Sequence, residues 1–163
     1  MSFDEIFAAN EEFAKRFKSS ELTGRAAREL AIVTCMDSRI DPLGVVGMKP
    51  GDAKILRNAG ARVTEDVLRT LVLATHLLNV ARVLVMPHTD CRMASGSEAE
   101  VHAAIKTSSG IDTRSLEIRT VTDQESTLEI DVLRIRSFPF LPKDIEVVGA
   151  LYDVKSGKLE KLF

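Results

Sequence analysis

Two short stretches of the chain hold the residues whose types suit metal chemistry. Cys35, Asp37 and Arg39 alternate with other residues in the first stretch, and His88 and Cys91 are separated by two residues in the second. Two thiols and one imidazole form a ligand set that zinc accepts, and three protein ligands with an open fourth position are typical of catalytic zinc. Asp37 and Arg39 would add a carboxylate and a guanidinium beside the metal.

Each of these residues also has an interpretation that needs no metal. A single buried cysteine such as Cys35 is more often an unreactive core residue, but its combination with the His-x-x-Cys pattern favours metal binding. Asp37 and Arg39 alone would be interpreted as an ion pair at a strand end. Two further histidines are present: His76 lies in a predicted helix and is interpreted as packing or surface, whereas His102 follows the second stretch and stays open as a fourth ligand.

Two apolar runs directly precede the two stretches. Leu30 to Thr34 (LAIVT) and Arg82 to Pro87 (RVLVMP) are short and apolar, as is typical of parallel strands buried on both faces. Cys35 follows the first run and His88 the second. Because ligand sites form at the carboxyl edge of open α/β sheets, we expect the two stretches to meet there.

The remaining patterns alternate strands with helices. This alternation predicts one α/β domain over residues 1–163, with a mostly parallel central sheet flanked by helices. The predicted elements are a strand at 53–56, a helix from Thr64 with an apolar stripe through Leu78, helices over 97–110 and 122–136, a loop over 111–121, a strand over 145–154 and a short last strand after KSGKL.

Residues 1–20 are predicted to form an amphipathic helix that dimerises the protein. Its apolar residues recur at roughly helical intervals among charged ones; they are Phe3, Ile6, Phe7, Phe13 and Phe17. Because so small a domain offers no obvious cover for this face, we expect it to pack on a second subunit.

Composition limits the class of protein. The chain has 163 residues, 45% of them hydrophobic, enough for one domain with a full core. Its 22 basic and 24 acidic residues nearly cancel, so nucleic acid is not expected as a partner. The first residues mix acidic with apolar side chains, unlike a secretory signal, and no apolar run has transmembrane length. We expect no membrane contact and a cytoplasmic location, where two cysteines are more often free thiols or metal ligands than a disulfide.

Three motifs in order resemble the signature of β-class carbonic anhydrases. They are CMDSR at 35–39, RNAGA at 57–61 and HTDC at 88–91, and GDAKILRNAG with GALYDVKSGKL resembles the small prokaryotic and archaeal branch. The resemblance implies an obligate homodimer or higher homo-oligomer, and reversible hydration of carbon dioxide to bicarbonate by zinc-bound hydroxide. It further implies Zn²⁺ ligation by Cys35, His88 and Cys91, with Asp37 and Arg39 catalytic and Asp37 as a fourth ligand in a closed state.

Arg92 departs from the family pattern, which usually has glycine after His-x-x-Cys. If the backbone there has a positive φ, arginine would be strained; if it is helical, Arg92 would project into the cleft. Two alternatives therefore stay open: a carbonyl sulfide or carbon disulfide hydrolase of the same fold, and a zinc protein made inert by Arg92 or by a permanently bound Asp37. Arg57 is interpreted as a cleft residue or an ordinary surface arginine, and Met36 as core or pocket wall.

Overall fold

A five-stranded sheet forms the centre of the protein in the computed structural model, which describes residues 2–163. The strands are β1 (Leu30–Cys35), β2 (Ala53–Asn58), β3 (Arg82–Met86), β4 (Glu146–Tyr152) and β5 (Leu159–Lys161). Their order in the sheet is β2-β1-β3-β4-β5, with β1 to β4 mutually parallel and β5 antiparallel to β4. The predicted single α/β domain with a mostly parallel sheet is confirmed.

The helices begin at polar capping residues. Thr64 accepts a hydrogen bond from the Val67 amide and starts the predicted helix; Asp123 caps the last helix, which therefore begins two residues after the predicted Thr122. One short helix was not predicted, because four residues are too few to show a period. The helices are α1 (Phe3–Lys15), α2 (Pro42–Val45), α3 (Glu65–Leu77), α4 (Glu98–Ser109) and α5 (Gln124–Arg136).

Strand β1 lies in the core with both faces covered. Ala31 and Val33 pack in the cluster that includes α3 and α5, whereas Ile32 packs in a second cluster with Ile40 and Met86. This burial explains why β1 reads as a continuous apolar run. The central strand that carries Cys35 is therefore held rigidly on both sides.

Helix α1 forms over Phe3–Lys15, shorter than the predicted 1–20, and buries none of its residues against the rest of the described chain. Its apolar side chains are largely exposed, with Phe3 at 77% and Phe7 at 66%. The Phe13 and Phe17 rings contact each other, with their centroids 5.7 Å apart. An apolar face of this size is without cover inside one chain. Among residues 2–163, no helix has both the length and the apolar character needed to cross a bilayer.

Candidate metal centre

The three residues predicted as ligands come together in the structure. One ligand atom from each of Cys35, His88 and Cys91 lies within 4.8 Å of the other two, and all three residues are buried. The two Sγ atoms are 4.0 Å apart, and a tetrahedral zinc with Zn–S bonds of about 2.3 Å would separate them by about 3.8 Å. The cysteines are free thiols. The cluster therefore has the size and the donor atoms that zinc requires.

Backbone pairing brings these ligands to one edge of the sheet. Thr34 is paired with Met86 in the parallel register of β1 and β3, so Cys35 and the loop that carries His88 and Cys91 leave the sheet side by side. Tyr152 of β4 forms a bridge with His88 and so supports the same loop from its other side.

The His88 ring is oriented for coordination through Nε2. Its Nδ1 lies 2.8 Å from the Thr89 carbonyl oxygen, and since that oxygen can only accept, Nδ1 carries the proton. Nε2 is buried and has no hydrogen-bond partner among the described residues. In a typical metal-bound histidine, one ring nitrogen donates its proton to a backbone carbonyl and the other ring nitrogen binds the metal. This unpartnered nitrogen is the clearest sign that the cluster fits a metal.

Asp37 is held by Arg39 through both carboxylate oxygens. Arg39 Nε donates to Oδ1 at 3.0 Å, Nη2 donates to Oδ2 at 2.8 Å, and the Arg39 amide donates to Oδ1 at 2.9 Å. These hydrogen bonds, with the positive charge of Arg39, hold the pKa of Asp37 well below its usual range and raise that of Arg39. Asp37 is therefore an ionised acceptor, and its Oδ2 lies 3.7 Å from His88 Nε2.

Asp90 is a part of the site that the sequence interpretation missed. Arg39 donates through Nη1 to Asp90 Oδ2 at 2.8 Å and through Nη2 to the Asp90 carbonyl at 3.0 Å. Asp90 has φ of 55°, a left-handed conformation that aspartate tolerates better than most residues. Arg39 thus links the loop after β1 to the loop between the two ligands of the second motif. The sequence did contain a signal for this contact, since Asp90 is an acidic residue between the two ligands of the HTDC motif.

Arg57 and Gln124 donate hydrogen bonds to main-chain carbonyls of the two segments that carry the ligands. Arg57 is exposed, as expected of a surface arginine, but its guanidinium donates to the carbonyls of Cys35, Asp37 and Ile40. Gln124 Nε2 donates to the His88 carbonyl at 2.6 Å. No local pattern indicates either contact, because both join residues more than 15 positions apart.

Arg92 is not strained. It begins a turn of 3-10 helix over Arg92–Ala94, and the left-handed residue of this loop is Asp90 instead. The helical interpretation of its backbone is therefore the correct one. Its guanidinium donates to Ser95 Oγ at 2.8 Å, which places that end of the side chain beside its own turn.

The structure also shows where His76, His102 and Met36 lie relative to the ligand cluster. His76 is exposed, with Nε2 2.9 Å from the Phe140 carbonyl oxygen. His102 is buried, but its Nδ1 pairs with Thr113 Oγ1 and it does not join the ligand cluster, so the option of a fourth histidine ligand is wrong. Met36 is 68% exposed; the core interpretation is wrong because the residue lies beyond the end of β1.

Burial also changes the acidity of one ligand. It raises the pKa of the Cys91 thiol, and the neighbouring Cys35 raises it further. Without a metal, the Cys91 sulfur is therefore protonated at neutral pH.

Comparisons with known proteins agree with this geometry. The sequence profile described as carbonic anhydrase matches residues 30–159. Beta-carbonic anhydrase 1 of Mycobacterium tuberculosis is 34% identical over 160 residues, covering 98% of this chain and 96% of the relative. A crystal structure of carbonic anhydrase from Streptococcus mutans has a TM-score of 0.92 at 35% identity, covering 100% and 99% of the two chains. A carbon disulfide hydrolase from Acidianus is 29% identical over 82% of this chain and 77% of the relative.

The protein is expected to purify with about one zinc ion per chain. His88→Ala and Cys91→Ala should each reduce the zinc content at least about tenfold, because two remaining ligands no longer form a tight site. Elemental analysis of the purified proteins measures this directly. His102→Ala is the matched control and should keep its zinc. Full occupancy in Cys91→Ala would remove Cys91 from the ligand set.

Zinc binding to the metal-free protein should release protons. Because the Cys91 pKa is raised above its usual value of about 8.5, its thiol must lose a proton at pH 7 to become a ligand. We therefore expect at least about one proton per zinc, and an affinity that weakens as the pH falls. Calorimetry in buffers of different ionisation enthalpy counts these protons. An identical heat in all buffers would contradict the assignment.

Proposed function

Because the chain belongs to the β-carbonic anhydrase family, we propose that it catalyses the reversible hydration of carbon dioxide to bicarbonate, with Zn²⁺ held by Cys35, His88 and Cys91. The family match confirms the predicted family and its zinc cofactor. The observation that carries the proposal is the buried ligand cluster, in which His88 Nε2 has no hydrogen-bond partner among the described residues.

The donor set suits a metal that activates water. Zn²⁺ held by these three residues would supply Lewis acidity, which makes water nucleophilic toward carbon dioxide near neutral pH. The protein contributes two buried thiols and an imidazole whose proton is fixed on Nδ1. Their role is to hold the ion with one position free.

We assign Asp37 the orientation of the attacking water. Its carboxylate is ionised, and Oδ2 faces the ligand cluster at 3.7 Å from His88 Nε2. An acceptor at that place can take a hydrogen bond from the water and direct its lone pair toward the substrate. Arg39 keeps the carboxylate charged and prevents its rotation, since both oxygens are engaged. This conformation favours the orienting role of Asp37, and its role as a fourth ligand stays a prediction.

Hydrolysis of carbonyl sulfide or carbon disulfide is the alternative of the same fold. It would use the same ligands, and no contact in this site favours it over carbon dioxide hydration. An inert zinc protein requires Arg92 or Asp37 to close the site. The contact of Arg92 with Ser95 and the hold of Arg39 on Asp37 both argue against closure. A stopped-flow assay of carbon dioxide hydration on the zinc-loaded protein tests the proposal, and absence of activity across pH 7 to about 9 would reject it.

A homodimer is the proposed assembly. The exposed apolar side chains of the N-terminal segment, from Phe3 in α1 to Phe17 just after it, support it, since a second copy is the simplest cover for a face that the chain leaves open. A cytoplasmic location is also proposed, because two thiols that serve as ligands must stay reduced.

Asp37→Ala is expected to keep its zinc and lose about 10²- to 10³-fold in kcat/KM, because the residue orients the water and does not retain the metal. Arg39→Ala should behave similarly, and Arg39→Lys should recover only part of the loss, since an ammonium lacks the planar fork. Stopped-flow rates at matched zinc content measure these effects.

The chain offers a matched control for the Asp37 variant. Asp112 and Arg114 form the same i,i+2 pair, with Arg114 Nε donating to Oδ1 at 2.9 Å and Nη2 to Oδ2 at 2.7 Å. Asp112→Ala should therefore leave kcat/KM unchanged. Hydration rates of Asp37→Ala within about twofold of wild type would exclude the orienting role.

The protein should have a mass in solution of at least twice its chain mass of 17.9 kDa. The double variant Phe3→Ser, Phe7→Ser should move it toward the monomer, because two aromatic contacts of α1 are lost. Light scattering coupled to size exclusion at micromolar concentration measures both. Glu12→Ala, on the opposite side of α1, is the control and should stay oligomeric. A monomeric wild type would refute the proposed assembly.

A further inference from the structure

We propose that Arg57 is a positioning residue, which sets the Asp37 carboxylate against the metal centre by holding the main chain of the loop over residues 36–41. The proposal rests on the function proposed above, and it concerns a residue that touches neither the ligand atoms nor the Asp37 carboxylate. Arg57 acts on three carbonyl groups of the polypeptide instead.

Each nitrogen of the Arg57 guanidinium donates to a different carbonyl. Nε donates to Cys35 O at 2.8 Å, Nη2 to Asp37 O at 2.6 Å and Nη1 to Ile40 O at 3.3 Å. Cys35 is a proposed ligand and Asp37 the proposed orienting residue, so one rigid planar group connects them. The loop cannot turn Asp37 away from Cys35 without breaking one of these contacts.

The position of Arg57 follows from the sheet. Arg57 lies next to Thr34 in the parallel register of β1 and β2, and Cys35 lies next to Asn58. Asn58 closes the turn that follows β2, since its side chain accepts from the Arg62 amide at 2.8 Å and donates to the Arg62 carbonyl at 2.7 Å. The guanidinium therefore extends from a strand and a turn that are themselves fixed.

Arg39 cannot replace this anchor. It is two residues from Asp37 on the same loop, so its bidentate contact moves with the loop. Its links among the described residues to the second ligand loop are the hydrogen bonds to the Asp90 carboxylate and to the Asp90 carbonyl. Asp90 is itself a loop residue, so these contacts join one loop to another and do not reach a strand of the sheet. Arg39 sets the direction of the carboxylate within the loop, whereas Arg57 sets the loop relative to the sheet.

The loop has few other attachments. Its backbone hydrogen bonds are from Met36 N to Asn58 O at 2.9 Å, from Ile40 N to Asp37 O at 3.2 Å and from Val45 N to Asp41 O at 3.0 Å. The last of these joins the loop to α2, and only the first reaches a strand of the sheet. Loss of the guanidinium would leave three carbonyls to water. A displacement of about 1 Å in an orienting group costs about 10²-fold in rate, so a loosened loop should be visible in kcat.

The kinetic test is a double-mutant cycle on the zinc-loaded protein with Arg57→Ala and Asp37→Ala. In the wild-type background, Arg57→Ala should lower kcat about 10- to 100-fold with KM changed less than about threefold. In the Asp37→Ala background the same substitution should cost less than about twofold, because the residue acts through Asp37. Arg57→Lys should recover little, since one ammonium cannot reach three separate carbonyls.

Two controls separate positioning from general stability. Zinc content should be equal in all variants. Arg82→Ala removes another arginine that donates to a main-chain carbonyl, that of Arg28 at 2.7 Å, at the opposite edge of the sheet; it should leave kcat unchanged. Equal losses from Arg57→Ala in both backgrounds, or no loss in either, would overturn the proposal.

A second measurement does not depend on activity. The Arg39 amide donates to Asp37 Oδ1 at 2.9 Å, so its hydrogen exchange reports on the position of the carboxylate. In Arg57→Ala, exchange should accelerate about tenfold or more over residues 36–41 and stay unchanged over α4. If the wild type fails to hydrate carbon dioxide, the proposed function is lost and this readout still decides the role of Arg57. Unchanged exchange over 36–41 would reject it.

Discussion

The parallel pairing of β1 with β3 brings all three proposed metal ligands to one edge of the sheet. Residue 35 and residues 88–91 are far apart in the chain, yet the register that places Thr34 beside Met86 makes both loops leave the sheet at the same edge. The pairing is secured by burial, since Ala31, Ile32 and Val33 of β1 are fully inaccessible. A shift of one residue would turn this strand's side chains to the opposite faces and separate the ligands.

Burial of the ligands has a cost that a metal offsets. A buried imidazole nitrogen without a hydrogen-bond partner is unfavourable, and burial disfavours the thiolate form of Cys91, as its raised pKa shows. A divalent cation held by these residues would satisfy Nε2 of His88 and stabilise both sulfurs as thiolates. Its binding energy would then contribute to the stability of the fold as well as to chemistry.

Two arginines act on Asp37 at different levels of structure. Arg39 controls the carboxylate by direct hydrogen bonds, keeps it charged and reaches across to Asp90. Arg57 contacts only the main chain of the same loop. A carboxylate that must face a metal needs both its own orientation and that of its backbone fixed, because an error in either displaces the reacting groups.

The family resemblance, the α/β class, the zinc ligand set and the amphipathic N-terminal helix could all be predicted from the sequence, because ligand types, their spacing and hydrophobic periodicity are local properties of the chain. Sequence patterns left the role of His102 open, and the folded chain pairs it with Thr113 and not with the cluster. The hydrogen bonds of Arg57, Asp90 and Gln124 in the site, and the left-handed backbone at Asp90 instead of Arg92, also emerge only in the folded chain. These contacts join distant segments through strand register and loop conformation, and the spacing of residues along the chain does not specify either.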